Sequence, residues 1–164
     1  MKNAQIQAQV FVYVLAMIVI SLVLLYGYRS IGTMNERAKQ VDILSFQNEV
    51  TKAVEKVSND YGTVRAPTLN IPQDYVEVCF IDIDNSPASS IQSEHPLVYE
   101  AWEDKSANVF LITDLVDEAF MVGESDDNIL SIDEPNYLCI EVKNRQAKIR
   151  LEGMGGKARL SEIE

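Results

Sequence analysis

The chemistry open to this chain begins with Cys79, His95 and Cys139, because they are its only thiols and its only imidazole. Thiolates and imidazoles are the usual ligands of zinc, but these cysteines are too far apart in sequence for a zinc ribbon, and one histidine leaves a zinc site short of ligands. Two cysteines are also too few for a disulfide-rich scaffold. The sequence therefore predicts no metal site, and it places His95, within "SEHPL", in an exposed loop.

Both cysteines lie in segments of alternating polarity, on the less apolar face of each predicted strand. Cys79 shares that face with Glu77, and Cys139 shares it with Glu141. Neighbouring strands could bring the two thiols together, and a bridge closing about 60 residues would stabilise the fold by about 4 kcal/mol. Such a bridge requires an oxidising compartment. The alternative is a pair of reduced, half-buried cysteines.

Two further stretches have the composition of ligand-binding loops. In "IDIDNS" the alternating Asp82 and Asp84 are typical of a calcium loop, but Pro87 stands where the loop needs glycine and Ser93 where it needs glutamate. We therefore expect solvated aspartates at the end of a strand. The glycine cluster "GMGG" (153–156) precedes a predicted strand rather than a helix, which favours a hairpin turn over a phosphate-binding loop.

A catalytic site needs a nucleophile, a base and a group that orients the base. No motif of this kind, such as a nucleophile elbow, occurs in the sequence. We therefore expect a protein that is not an enzyme and that needs no cofactor.

The elements that position the cysteines are predicted to be short strands. Six segments separated by turn-rich stretches show this pattern: 75–83, 108–113, 118–122, 128–132, 137–143 and 147–153. Residues 157–163 read as a further strand, and residues 95–105 as one or two helical turns. Strands at this density predict a small antiparallel sheet or β-sandwich, and with the helices described next the fold class is α+β.

A helical pattern precedes the strands, because apolar residues recur there in steps of three and four. "TMNE" (33–36) fits a capping box at the start of this helix, and Gly62 stands where a C-cap glycine is expected. Gly27 and Gly32 either kink the chain or let one helix run through from the N-terminus. The apolar positions are Ile43, Phe46, Val50, Val54, Val57 and Tyr61.

The N-terminal segment contains no charged residue from Asn3 to Tyr28. As a helix, its most apolar part, Val10–Tyr28, covers roughly 29 Å, about one hydrocarbon core. A secretory signal has a shorter apolar core, of about 7 to 15 residues, and a small-residue cleavage site after it. The following residues, "GYRSIGTMNERAK", lack such a site. The pattern therefore predicts an uncleaved membrane helix.

Charge is distributed unevenly along the chain, whose net charge is −11. Residues 1–29 hold two cations and no acid, whereas residues 30–164 hold the other 12 Lys and Arg against all 25 Asp and Glu. Such an acidic surface repels phosphates, which excludes nucleic acid as an expected partner. Arg29, Arg37 and Lys39 outnumber Lys2 around the apolar segment, and this bias alone would place the following domain in the cytoplasm.

The order of these segments, namely a short positive N-terminus, an uncharged apolar helix, an amphipathic extension and a β-rich head, resembles that of type IV pilins and their archaeal relatives. In that family a prepilin peptidase removes a short leader, and the apolar helices of many subunits pack into a filament core. Archaeal members begin the mature helix with a Q-x-S-x-E-x-x-x-L pattern. Here "QIQAQVFVY" places Gln5, Gln7 and Gln9 at its first three defined positions and Tyr13 at the last, with Ala4 before the cut.

The resemblance implies a structural subunit of a cell-surface filament. Residues 1–32 would be a leader-like and transmembrane segment, 33–62 its amphipathic extension and 63–164 an extracytoplasmic head. The implied partners are membrane lipid, further copies of this chain and the pilus assembly machinery. The residues implied in processing and assembly are Ala4, Gln5, Gln7 and Gln9, and those in the filament core are Val10, Val12, Leu15, Ile18, Val19, Leu22 and Leu25. A single-pass membrane protein displaying an extracytoplasmic binding domain is the alternative.

Overall fold

A computed structural model describes residues 3–124 and 127–163, without the side chains of 3–9, Thr33, Asn35, Glu124 and Asp127. A long N-terminal helix is followed by antiparallel and mixed β-sheets, which confirms the predicted α+β class. By internal contacts the chain divides into two compact units, Met1–Val41 and Asp42–Glu164. Their boundary falls within the long helix. We call the second unit the head.

The described residues form three helices and eleven strands. The helices are α1 (Asn3–Ser58), α2 (Ser89–Glu94) and α3 (Pro96–Glu103). The strands are β1 (Val64–Arg65), β2 (Thr68–Asn70), β3 (Glu77–Ile81), β4 (Val109–Ile112), β5 (Val116–Phe120), β6 (Gly123–Glu124), β7 (Asp127–Asn128), β8 (Leu130–Ile132), β9 (Tyr137–Glu141), β10 (Gln146–Gly153) and β11 (Ala158–Glu162). The predicted strands are present, whereas α2 and the short strands β1, β2, β6 and β7 were not predicted.

Two sheets make up most of the head. The first has the order β1-β10-β11-β8, with β2 also paired to β10, and its β11–β8 pair is parallel. The second has the order β5-β4-β3-β9 and is antiparallel throughout. β6 and β7 form a separate small pair.

The larger core of the head contains one face of each sheet and the C-terminal part of α1. Five of the six predicted helical stripe positions, Ile43, Phe46, Val50, Val54 and Val57, are at most 6% exposed there. Tyr61 is the exception, because it lies beyond the end of the helix and is 85% exposed. Burial of this stripe in apolar surroundings is what stabilises this part of α1.

The opposite face of the second sheet is covered by α2 and α3, so the head is not a simple β-sandwich. Cys79 on β3 and Phe110 on β4 are fully buried there against Trp102 of α3 and Ile91 of α2. The Trp102 indole N–H donates to the carbonyl of Asn85 at 3.0 Å. The sequence pattern suggested a half-buried second face because the helices that cover it are short and only weakly periodic.

α1 runs without interruption through both glycines at the predicted junction. The capping box at Thr33 is therefore wrong, since no helix begins there. The C-cap at Gly62 is also wrong, because α1 ends at Ser58 and Gly62 lies in the following turn with a φ of 79°. Distant backbone supplies a partner at this helix end instead: the Gly156 N–H donates to the Ser58 carbonyl at 2.7 Å.

The glycine cluster forms the predicted hairpin turn between β10 and β11, and it also receives the end of α1. Gly153 and Ala158 pair across the turn, and the Gly62 N–H donates to the Gly153 carbonyl at 2.8 Å. A Cβ atom on Gly153 would lie 2.0 Å from the Asp60 carbonyl oxygen and 2.3 Å from that of Val57. Glycine is therefore required for this close approach of helix and hairpin.

Candidate functional site

A disulfide joins Cys79 and Cys139 across two neighbouring strands of the head. The register of β3 and β9 places the two cysteines directly opposite each other, with their Cα atoms 4.0 Å apart. Cys79 is fully buried, and Cys139 is partly buried. The structure therefore joins the pair for which the sequence suggested a bridge, and the backbone pairing alone is sufficient to keep the two side chains adjacent.

His95 lies beside this disulfide and not in an exposed loop, which corrects the expectation from the sequence. Its Nε2 is 3.2 Å from Oε2 of Glu77, and the two side chains are 20% and 24% exposed. His95 lies between α2 and α3. Its backbone N–H donates to the Ile91 carbonyl at 2.7 Å, and its backbone carbonyl accepts from the Tyr99 N–H at 3.1 Å. Bonds on both sides fix the backbone that carries the imidazole.

Together these residues form a cluster of four metal-ligating types, which we call the Cys–His–Glu cluster: Glu77, Cys79, His95 and Cys139. One ligating atom from each lies within 4.8 Å of those of the other three. A cleft of about 180 Å³ opens beside it, and both Glu77 and His95 line this cleft. While the two sulfur atoms are bonded to each other, they are not thiolates and do not act as metal ligands.

The sequence did not reveal this cluster because its members come from three separate segments. Glu77 and Cys79 are two residues apart and therefore share a face of β3. Cys139 joins them only through strand pairing, and His95 only through the position of α2 and α3 over the sheet. The sequence did carry a signal for Glu77, Cys79 and Cys139, because the two cysteines have the same pattern of polar and apolar neighbours, which suggested that they pair. No sequence signal located the histidine.

The aspartates of "IDIDNS" form a hydrogen-bonded network within the head. Asp82 is 3% exposed, contrary to the expected solvation, and its oxygens accept from the N–H of Asp84 at 3.1 Å and from the side-chain amide of Asn128 at 2.9 Å. Asp84 pairs with the ammonium group of Lys157. Because amide and ammonium donors occupy these carboxylate oxygens, the network ties β3 to β8 and the hairpin and does not resemble a calcium site.

The apolar part of α1, residues 10–25, exposes every large hydrophobic side chain that the structure describes there. Side chains from Val10 to Leu25 are between 49% and 71% exposed, and no face of the helix is polar. The predicted filament-core residues all belong to this set: Val10, Val12, Leu15, Ile18, Val19, Leu22 and Leu25. The predicted processing and assembly residues Ala4, Gln5, Gln7 and Gln9 lie within α1, but their side chains are outside the described part of the chain.

By length and composition, α1 contains a stretch that is long and apolar enough to cross a membrane, near the N-terminus. Its mean hydropathy reaches 2.7 over the most apolar window. This agrees with the predicted membrane span, and the side of the membrane on which the head lies stays a prediction.

Comparisons with known protein families, with curated proteins and with solved structures give no match.

Proposed function

We propose that this protein is a pilin-like structural subunit of a cell-surface filament, which assembles through the apolar part of α1. The observation that carries the proposal is the exposure of apolar side chains around the whole circumference of that helix segment, between 49% and 71% for each large residue from Val10 to Leu25. A surface of this kind has to be covered by lipid or by other protein, at about 25 cal/mol for each Å² removed from water.

A filament would provide both kinds of cover in succession. Inside the bilayer, lipid satisfies an apolar helix, so the hydrophobic effect gives no reason for helices to associate there. Once a subunit leaves the membrane, only the same segment of neighbouring copies offers an apolar surface of equal length. A segment that is apolar on every side, rather than along one stripe, suits a helix surrounded by copies of itself.

The continuation of α1 into the head supports the same proposal. After Tyr28 the helix is no longer apolar on all sides, and beyond Val41 it carries a single apolar stripe that is buried in the head core. One hydrogen-bonded element therefore carries both the surface that needs partners and the anchor of the folded domain. This is the division of roles that the pilin-like order of segments implies.

The disulfide supports a head outside the cytoplasm, because such bridges form and persist in oxidising compartments. This argues against the orientation favoured by the positive charges after the apolar segment, Arg29, Arg37 and Lys39. Protease added to intact cells is therefore expected to degrade the head. Complete protection of the head in intact cells, with digestion after lysis, would reverse this topology and exclude a surface filament.

The assembly test uses three single substitutions in the full-length chain. Ile18→Arg places a charge in the middle of the apolar segment, which costs about 2.5–3.5 kcal/mol in a membrane, and should abolish assembly. Ile18→Trp stays apolar and should insert normally, but its bulk should disrupt close packing between copies. Val76→Arg is the control, because Val76 is an exposed head residue, 57% accessible, and should leave filaments intact.

The readout is the amount of protein in filaments sheared from the cells, compared with the amount in the membrane fraction. Loss of filaments with normal membrane content for Ile18→Trp would support packing between copies. Wild-type protein that never sediments as a filament, or joins one, would contradict the proposal.

The second candidate is a single-pass membrane protein that displays a binding domain. The cleft beside the Cys–His–Glu cluster favours it, because the cleft combines the Glu77–His95 pair with the exposed apolar side chains of Leu97 and Leu115. In that case the wild type forms no filament, and Ile18→Trp should leave the amount of protein in the membrane fraction unchanged, because lipid accommodates a larger apolar side chain. Filaments that form with the wild type and are lost with this variant therefore support the first candidate over the second.

A further inference from the structure

We propose that reduction of the Cys79–Cys139 disulfide converts the Cys–His–Glu cluster into a Zn²⁺ site, with two thiolates, the His95 imidazole and the Glu77 carboxylate as ligands. The disulfide and the zinc site would then be alternative states of the same four residues. This inference goes beyond filament assembly and does not depend on it.

The distances within the cluster suit a tetrahedral ion. Zinc binds sulfur at about 2.3 Å and nitrogen or oxygen at about 2.0–2.2 Å, so the four ligating atoms of a tetrahedral site are about 3.3–3.8 Å apart. In the structure they all lie within 4.8 Å of one another. Rotation of side chains can therefore close the site once the sulfur atoms are no longer bonded.

The backbone, and not only the S–S bond, keeps the four ligands together. Cys79 and Cys139 face each other in the register of β3 and β9, where Val78 also pairs with Ile140. Glu77 lies on the same face of β3, two residues before Cys79. The backbone of His95 is bonded to α2 on one side and to α3 on the other. Breaking the disulfide leaves all of these constraints in place.

The local charge also favours a divalent cation. Glu141 stands directly opposite Glu77 in the strand register, so two carboxylates share this face of the sheet with the cysteines. Like charges placed in this way are unfavourable, and Lys143 compensates Glu141 only weakly, because the two groups are 3.9 Å apart and both side chains are at least 80% exposed. Cys79 is fully buried, which limits competition from water for the ion, whereas the cleft along Glu77 and His95 gives the ion a path from solvent.

Reduction of the disulfide has to precede binding of the ion. A phosphine reductant gives two electrons to the disulfide and becomes a phosphine oxide with an oxygen atom from water, and the two protons of that water yield two thiols. Zn²⁺ then displaces both thiol protons to solvent as it binds the thiolates. In a reducing compartment the zinc state would therefore replace the bridge, and in an oxidising one the bridge would exclude zinc.

The test titrates full-length protein in detergent with Co²⁺ as a spectroscopic substitute for zinc, before and after phosphine treatment, and then displaces Co²⁺ with Zn²⁺. Reduced wild-type protein should bind one ion per chain, with the visible absorption of tetrahedral Co²⁺ and a thiolate charge-transfer band. Oxidised protein should show neither signal. Equal binding by oxidised protein, or no binding by reduced protein, would overturn the proposal.

Substitutions identify the ligands. Cys79→Ser and Cys139→Ser should each lose most of the charge-transfer intensity, and His95→Ala and Glu77→Gln should each weaken binding at least about tenfold. Glu36→Gln is the control for Glu77→Gln, because Glu36 is exposed on α1 in the other unit. If His95→Ala binds as tightly as the wild type, the two thiolates alone capture the ion and the four-ligand site is wrong.

Fluorescence of Trp102, which lies in the same core as Cys79, reports whether the reduced head is folded. Zinc should preserve or restore the native emission of the reduced protein, because a site built by the fold stabilises the fold. Binding that leaves the emission of an unfolded chain would show capture by loose thiols and would likewise overturn the proposal.

Discussion

The two parts of α1, residues 10–25 and residues 43–57, differ in the burial of their apolar side chains although they belong to one helix. Between Val10 and Leu25 every large apolar side chain is about half exposed or more, and the apolar character extends around the whole circumference. Within the head, apolar side chains follow a stripe in steps of three and four, and Phe46, Val50 and Val54 are at most 1% exposed. Both parts belong to the same continuous helix, but only in the second part are the apolar side chains covered by other residues of the chain.

This difference indicates which part of the protein carries stability and which part carries association. A buried stripe contributes to folding of the head whether or not another molecule is present. An apolar surface that stays exposed contributes nothing to the free energy of folding. It lowers the free energy only when it is buried in lipid or against other copies of the chain. Substitutions of the same kind should therefore have different consequences in the two parts.

The largest contrast is expected between Phe46→Ala and Phe11→Ala. Phe46 is 1% exposed and makes an edge-to-face contact with Phe120, with ring centroids 5.9 Å apart, so its loss should destabilise the head by about 3–5 kcal/mol. Phe11 is 67% exposed, and its loss should not change the stability of the head. Denaturant unfolding followed by Trp102, the single tryptophan, measures the head alone. Equal effects of the two substitutions would refute the assignment of stability to one part of α1 and association to the other.

Removal of the disulfide should have the next largest effect, again confined to the head. The double substitution Cys79→Ala and Cys139→Ala should reduce the free energy of unfolding by about 2–5 kcal/mol, because the unfolded chain gains freedom over a loop of 60 residues. Mass spectrometry of native protein without reduction should show the two cysteines linked. Two thiols that alkylate freely in native material would mean that the bridge is not the resident state.

Much of the fold was predictable because its signals are local. The alternation around Cys79 and Cys139 located two paired strands, and the spacing from Ile43 to Val57 located the buried face of α1. Burial of Asp82 was not predictable, since its partners Asn128 and Ile132 come from a segment about 50 residues away in sequence. A polarity pattern indicates which face of an element is apolar, but it does not indicate which polar side chains form hydrogen bonds within the folded protein.

The candidate site was predictable only in part for the same reason. Strand periodicity paired the thiols, but His95 follows α2, a helix of six residues with one buried side chain, and such an element leaves almost no periodic signal. The continuity of α1 was likewise left open, because two glycines cost only about 1 kcal/mol each in a long helix and can be overridden. Local propensity could not decide between a kink and a continuous helix.

A smaller contrast is expected between two glycines, one in each part of the molecule. A Cβ at Gly153 meets the backbone oxygens of Val57 and Asp60, which cannot move without shifting the end of α1. Gly153→Ala should therefore destabilise the head by about 1–3 kcal/mol. Among the described residues no atom lies within 4 Å of a Cβ at Gly27, so Gly27→Ala should leave the head unchanged and favour the helix by up to about 1 kcal/mol. Hydrogen exchange around residues 57–63 and unfolding monitored by Trp102 would measure the effects of both substitutions. If Gly153→Ala leaves the free energy of unfolding unchanged, the end of α1 and the hairpin are not tightly packed.

The smallest effect should come from the ion pair between Asp84 and Lys157, and it should depend on pH. The hydrogen bond from Lys157 is the main cause that lowers the pKa of Asp84 below its ordinary value of 3.8, with a further contribution from the Asn128 amide, while partial burial opposes the shift. A carboxyl with a lowered pKa in the folded state adds stability above its ordinary pKa, and this stability is lost as the pH falls through the folded-state value. Because both side chains are more than 40% exposed, we expect a coupling of about 0.2–1 kcal/mol near neutral pH.

A double-mutant cycle of Asp84→Asn and Lys157→Met separates this coupling from the other hydrogen bond of Asp84. The coupling should disappear in strong acid, where Asp84 is protonated, and it should shrink in about 1 M salt, where charges are screened over roughly 3 Å. Lys105 also acts on the carboxyl through its charge, so Lys105→Met should produce a weaker change with the same dependence on salt. A coupling that is unchanged by acid and by salt would mean that Lys157 stabilises the hairpin by packing of its methylene groups rather than by charge.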